Sequence, residues 1–353
     1  MSSRGSLLLA ILFVGTTAAC GGSPAASHIT SAKQTPSAAP VQSTAGASAS
    51  TTAAPTSTAS TGSSGAANAT ICRLPIVAGQ TPQAGFINYP SGSFDVDPTG
   101  NLTSKGSGLA YDRVYGRWLP VDWRFVSDDG SHYTYATYSD TEPGPGAYSV
   151  VHIVTVASGV DRPLTKTGQY IINDYVGNGI YLSPWVGGHD GPGPQIGWKL
   201  DPSTGAVHTL SGGEKYGYWV GSGAGWRTDY NTADPTVHDG MTGPNRLIRI
   251  DLATGGEQTW FYQEGIDNVQ MLGFDRQGRP LVSSSTGKVI TLWVLTDASH
   301  RSLLYSGSSF FAAATADSHG IWFSDGSATY LYTPSAGLKK VSSTGGAIAG
   351  GCH

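Results

Sequence analysis

Apolar and aromatic positions in this chain alternate with polar ones over short stretches, and each stretch is cut off by a turn. His132-Tyr-Thr-Tyr-Ala-Thr-Tyr138, Ile180-Tyr-Leu-Ser-Pro-Trp185 and Ile321-Trp-Phe323 are short runs rich in strand-forming residues. Ahead of them stand Asp128-Asp129-Gly130, Asn178-Gly179 and His319-Gly320, with Gln277-Gly278 as a fourth hairpin signal of the same kind. A second turn has the form Asp or Thr, two variable residues, a small or aromatic residue, then Gly. It occurs at Asp112-Arg-Val-Tyr-Gly116, Thr155-Val-Ala-Ser-Gly159, Asp201-Pro-Ser-Thr-Gly205, Asp251-Leu-Ala-Thr-Gly255 and Thr333-Pro-Ser-Ala-Gly337, with a degenerate copy at Thr296-Asp-Ala-Ser-His300. The copies repeat with a period in the mid-forties. Each unit therefore reads strand, tight turn, strand, variable loop, strand, tight turn, strand, which is one four-stranded blade. Six copies predict an all-β, six-bladed β-propeller. The run Phe94-Asp-Val-Asp-Pro-Thr-Gly100 raises a seven-bladed alternative, but it lies so close to Gly116 that it is assigned to the first blade.

Composition agrees with short strands and many turns. Of 353 residues only 12% are charged, Gly numbers 49 and Pro 20, and there are four Glu (Glu142, Glu214, Glu257, Glu264) against twenty Asp. Helix-rich domains lean on Glu and Lys, whereas Asp, Gly and Pro make turns. A net charge of −4 supplies no basic footprint, so nucleic acid is not an expected partner.

The N-terminus reads as an address. Arg4 precedes the apolar run Leu7 to Val14, which is too short to span a bilayer, and Thr17-Ala18-Ala19-Cys20 follows. A cysteine after two small residues and before Gly21-Gly22-Ser23 resembles the lipobox of bacterial lipoproteins, although Thr17 stands where leucine is commonest. That resemblance implies a signal peptide over residues 1–19, a mature chain starting at a lipid-bearing Cys20, and a location on the outer face of the bacterial cell membrane. Residues 20–71 are dominated by Ser, Thr, Ala, Gly and Pro, a composition that cannot bury enough apolar surface to offset its ordering entropy and predicts a disordered linker. The folded domain is expected over residues 72–352.

With turns such as Ser127-Asp-Asp-Gly130 and Asp201-Pro-Ser-Thr-Gly205 spread through nearly all of that domain, the chain resembles the TolB-like and WD-repeat-like β-propellers of extracytoplasmic bacterial proteins. The Trp-Asp dipeptide is missing from the repeat ends, which favours the TolB-like side. These motifs imply an architecture and no activity.

Beyond Cys20 only Cys72 and Cys352 remain, one at each end of the domain. First and last strands are neighbours in a closed propeller, and disulfides persist in an oxidising compartment, so the bridge Cys72–Cys352 is expected. The rival reading, free thiols or metal ligands, lacks a zinc site's partner spacing.

Ligand candidates come from the loops between second and third strands. These are long at 139–147, 187–194 and 232–244 and short at 285–287 and 325–327, so the lengthening falls on one side of one face. Two of them share His-Asp-Gly, placing His189, Asp190, His238 and Asp239, with Trp185, Trp226 and Tyr230 nearby, in a polar-aromatic groove for a sugar or peptide. The bland reading is an Asx turn inherited by the repeats. Trp219 is expected to pack between blades. No metal or other cofactor is expected, because equivalent loops stand too far apart to converge on an ion, and Asp95-Val-Asp97-Pro-Thr99-Gly100 lacks the distal Glu of a calcium loop. No catalytic motif is present. The expected role is a membrane-anchored module that binds an unknown protein, peptide or glycan. The alternative is a propeller hydrolase or lyase drawing on Asp140, Glu142, Asp190, Asp234 and Asp239, since glycoside cleavage needs paired carboxylates.

Overall fold

The computed structural model describes residues 71–79, 82–106, 108–138, 148–184, 197–210, 219–231, 233 and 243–353. The chain divides into two units, Met1–Ser63 and Ser64–His353, and every described residue belongs to the second. Cys20 and the expected signal and linker up to Thr70 lie outside the described residues.

Seven antiparallel sheets succeed one another along the chain. Sheet 1 holds Cys72–Ala78, Gln83–Tyr89 and Phe94–Val96, with Gly346–Ile348 on its other edge. Sheet 2 is the pair Ala110–Asp112 and Arg117–Leu119. Sheet 3 holds His132–Tyr138, Tyr148–Thr155 and Asp161–Thr167. Sheet 4 runs Tyr170–Val176, Gly179–Pro184, Gly197–Leu200 and Val207–Leu210. Sheet 5 is Trp219–Gly221, Ala224–Asp229, Arg246–Ile250 and Glu257–Tyr262. Sheet 6 is Asn268–Phe274, Pro280–Thr286, Val289–Leu295 and Arg301–Gly307. Sheet 7 is Ala313–Asp317, Gly320–Ser324, Thr329–Thr333 and Gly337–Ser342. Among the described residues the helical pieces are two single 3-10 turns, Pro98–Gly100 and Trp123–Phe125.

The tight turns fall where the sequence places them, and their chemistry explains the excess of Asp over Glu. In the Asp201–Gly205 turn, Asp201 Oδ1 accepts the Ser203 N–H at 2.7 Å and the Ser203 hydroxyl at 2.7 Å, and Gly205 takes a φ of 77°. Asp251 accepts the N–H groups of Ala253 and Thr254, Asp297 those of Ser299 and His300, and Asp325 those of Ser327 and Ala328. A carboxylate one methylene from the backbone reaches the N–H two residues on. One assignment changes: Phe94–Val96 sits in sheet 1, while the Asp112–Gly116 turn joins the strands of sheet 2, so the two turns do not share a blade. Sheet 2 also departs from the expected four strands.

Neighbouring sheets, apart from sheets 4 and 5, share buried side chains in order. Phe86 and Ala84 of sheet 1 meet Trp118 of sheet 2, and Ala110 and Leu119 of sheet 2 meet Tyr135 and Val154 of sheet 3. Val151 and Ile153 then pack on Ile172 and Leu182 of sheet 4. Sheets 5 and 6 join through Trp226, Leu247, Met271 and Val282, and sheets 6 and 7 through Leu272, Leu292, Ala314 and Phe323. Trp322 and Leu331 of sheet 7 pack against Leu74, Ile76 and Ile348 of sheet 1, so the sequence of contacts returns to its origin. This is the arrangement of a β-propeller.

Closure is made by the chain's two ends. Ile76 pairs with Ile348, Val77 with Ala347 and Ala78 with Gly346, and beyond them Arg73 and His353 exchange backbone hydrogen bonds. The backbones approach so closely that a Cβ on Gly346 would collide with the Val77 carbonyl. The expected disulfide Cys72–Cys352 is present, with a Cα–Cα distance of 5.6 Å, and both cysteines are buried.

Two outcomes follow from this architecture. Breaking the bridge with Cys352→Ser lowers the unfolding free energy by about 2–5 kcal/mol in urea titrations. The Ser203 hydroxyl and N–H hold Asp201 at about 2, and the hydroxyl of Ser127 with the N–H of Ser131 does the same for Asp129. Both lie below the unfolded value of 3.8. The stability they contribute is complete above about pH 4 and is lost as pH falls toward about 2, so thermal melts over that range drop, and Asp129→Asn with Asp201→Asn flattens the drop.

Candidate functional site

A recess of about 400 Å³ opens at the end of the ring that carries the turns between first and second strands. Its wall draws on sheets 2, 4, 5 and 6, the 3-10 turn Trp123–Phe125 and the closing segment: Asp112, Trp123, Arg124, Asp174, Trp219 and Phe274, with Gly350 beside them. Among its lining residues a buried Asp174 and a partly exposed Arg124 form an ion pair. Arg124 is set by the 3-10 turn Trp123–Phe125, which Asp122 caps by accepting the Arg124 N–H at 3.0 Å. The guanidinium donates from Nε to Asp174 Oδ1 and from Nη2 to Oδ2, both at 2.7 Å. Asp174 Oδ2 also accepts the Val220 N–H at 2.6 Å, and the Arg124 Cζ lies 3.7 Å from the centre of the Trp219 ring. The described residues form no shared hydrophobic cluster between sheets 4 and 5, and that joint is crossed by the Val220 N–H to Asp174 hydrogen bond and the stacking of Arg124 on Trp219.

Burial pushes the Asp174 carboxyl up to about 6, against the opposing pull of Arg124 and the Val220 N–H. Burial also raises Asp122. Asp112 is buried as well. Its Oδ1 accepts the N–H groups of Val114 and Tyr115, at 2.7 and 3.1 Å, while its Oδ2 has no hydrogen-bond partner. A buried acceptor without a donor is costly unless a water or ligand supplies one. Trp219 packs edge-on to Phe274 at 6.4 Å and lies 6.4 Å from Trp123, so the recess combines aromatic faces with one open carboxylate oxygen.

Of the loop residues expected to bind ligand, Trp185, His189, Asp190, His238 and Asp239 lie outside the described residues. Trp226 is corrected: its side chain is 1% exposed, donates Nε1–H to the Gly221 carbonyl at 3.0 Å and packs edge-on against Trp260, which makes it core. Tyr230 is exposed, directly after the strand Ala224–Asp229. Trp219, expected to be packing alone, lines the recess as well. Asp97, weighed as the start of a calcium loop, instead caps the 3-10 turn Pro98–Gly100 and accepts the Trp118 indole N–H at 3.1 Å, while Asp95 accepts from Asn88 at 2.7 Å. Sequence reasoning missed Arg124, Asp174 and Asp112 as a group. The available signal was a Trp-Arg pair ahead of the Asp128-Asp129-Gly130 turn, at the innermost position of its unit.

No protein-family model and no curated protein matches the chain. Among solved structures it is similar to a protein from Lactobacillus plantarum, with 10% identity and a TM-score of 0.43 over 78% of this chain and 98% of that one. It is also similar to virginiamycin B lyase from Staphylococcus aureus, with 13% identity and a TM-score of 0.34 over 78% and 85% of the two chains. The tricorn protease gives 12% identity and a TM-score of 0.41, this chain spanning 26% of that one. Likenesses this distant assign no activity.

Arg124→Ala leaves the Asp174 carboxylate buried without its cation and destabilises the fold by about 3–5 kcal/mol at neutral pH in urea titrations. Because the folded Asp174 value of about 6 exceeds the unfolded 3.8, the native state holds the proton more tightly. The group's contribution to stability therefore falls as pH rises from about 4 to about 6. The Arg124→Ala deficit accordingly shrinks near pH 5, where Asp174 takes a proton.

Proposed function

We propose that the chain is an extracytoplasmic, lipid-anchored β-propeller of seven blades that binds a ligand in its central recess without transforming it. Sheet 2 counts as a reduced blade of two strands. The segment around Trp123–Val126 counts as the inner strand of the third blade, a reading supported by the isolated bridge between Val126 and Tyr133. Cys20 carries the lipid and residues 20–71 form the stalk. Among the described residues no helix is long and apolar enough to cross a membrane, so on this reading attachment rests on the lipid.

The observation that carries binding over catalysis is the state of the carboxylates. Asp174 is closed on Arg124 and the Val220 N–H, an arrangement that ties the Trp123–Phe125 turn to sheets 4 and 5. Asp112 lines the same recess as Trp123 and Trp219 and keeps one buried acceptor without a partner. A glycan fragment matches that chemistry, because a sugar's C–H face stacks on aromatic rings while a hydroxyl donates to a carboxylate oxygen. The recess volume of about 400 Å³ lies within the usual range for a small-molecule site.

Two measurements test this reading. Titration of glycan and peptidoglycan fragments against the tryptophan fluorescence of the full chain is expected to yield a binder whose affinity falls about tenfold or more with Asp112→Asn or Trp219→Ala, and its recovery unaltered by mass is expected after incubation. Cleavage of the bound fragment refutes the non-catalytic role. For the anchor, Cys20→Ser moves the chain from the membrane fraction to the soluble fraction of the producing cell.

A further inference from the structure

The ring-closing cysteines have a third neighbour that carries metal-ligand chemistry. Cys72 Sγ, Cys352 Sγ and His319 Nδ1 all lie within 4.8 Å of one another, with Nδ1 at 3.7 Å from Cys72 Sγ. They come from three places: the first strand of sheet 1, the C-terminal tail, and the first hairpin of sheet 7. Asp317 sets two of them. Its Oδ2 accepts the Cys352 N–H at 2.8 Å and the Trp322 indole N–H at 2.7 Å, and its Oδ1 accepts the His319 N–H at 2.7 Å and lies 3.1 Å from His319 Nδ1. The site is enclosed: both cysteines and Asp317 are at most 9% exposed, and the Tyr89 ring lies against His319 at 6.0 Å.

We infer that reduction of the Cys72–Cys352 bridge converts the closure into a zinc site, with the two thiolates and His319 Nδ1 as ligands, the fourth position open to water, and Asp317 holding Cys352 and His319 in place. Zinc bonds of about 2.0–2.3 Å to nitrogen, oxygen and sulfur place the ligand atoms of a tetrahedron roughly 3.3–3.8 Å apart. The His319 to Cys72 separation of 3.7 Å already falls in that range. The remaining adjustment is a parting of the two sulfurs. The donor set of two thiolates and an imidazole suits zinc rather than calcium or magnesium, which take oxygen ligands.

The chemistry balances as follows. A phosphine reductant breaks the sulfur–sulfur bond, takes one oxygen from water to become its oxide, and leaves a hydrogen on each sulfur. Zinc then forms a bond to each sulfur and displaces both protons, while the neutral imidazole contributes its lone pair at Nδ1. The two chain ends thus remain joined, through a metal in place of a covalent bond.

The test uses the full chain reduced with a phosphine, which does not compete as a thiol for metal. Zinc ion alone is titrated by calorimetry in buffers of different ionisation heat, and cobalt ion reports thiolate bonding by its absorption spectrum. The expected result is one zinc per chain, about two protons released, a thiolate-to-cobalt band, and a melting temperature that rises with zinc; the oxidised chain shows none of these. His319→Ala and His319→Gln each weaken zinc binding by more than about tenfold in the reduced chain and leave the melting of the oxidised chain unchanged, while Cys20→Ser leaves zinc binding intact. Zinc affinity unaltered by both His319 variants, binding that requires Cys20, or a reduced chain that unfolds and is not refolded by zinc would each overturn the inference.

Discussion

The whole fold depends on three residues of the C-terminal segment finding the N-terminal strand. An open row of sheets leaves an apolar flank at each end. Here the flank of sheet 1 is covered only when Ile348 enters beside Ile76 and Trp322 of sheet 7 comes against them. The sulfur bridge then removes chain entropy from the unfolded state across a separation of 280 residues. The close backbone approach at Gly346 and the Asp317 clamp on Cys352 fix the register that the bridge secures.

The second organising feature is the contrast between sheet joints. Most are apolar and tolerant in detail, built from Leu, Ile, Val and Trp side chains. The joint of sheets 4 and 5 instead runs through a guanidinium, a carboxylate and a backbone N–H with fixed directions. Directional bonds tolerate little sliding, so this joint holds the recess wall in one geometry, and the aromatic faces of Trp123, Trp219 and Phe274 are presented from neighbouring sheets around it.

Much of the fold was legible because it is local. An Asp that accepts the N–H two residues on announces its own turn, and such turns repeated at a steady period announce the blade. The bridge was legible because only two cysteines remained once Cys20 was assigned to the lipid. Sheet 2 was not: the strands Ala110–Asp112 and Arg117–Leu119 carry the turn signature, but the polar stretch Asn101-Leu-Thr-Ser-Lys-Gly106 before them supplies no further strand, and a turn motif does not reveal what its outer neighbours lack. The recess was illegible for a different reason. Asp112, Arg124, Asp174 and Trp219 are brought together by the ring and by nothing in their spacing, and the same holds for His319, which stands 247 positions from Cys72. Loops advertise themselves by length and composition, whereas a site assembled from inner strand ends does not.

Because the innermost strand of sheet 1 is Gly346–Ile348, made long after the strands it completes, synthesis and folding are out of step in this molecule. The first sheet emerges early yet stays incomplete until Gly346–Ile348 arrives. A polypeptide interrupted before that point is a row with a bare flank rather than a smaller ring.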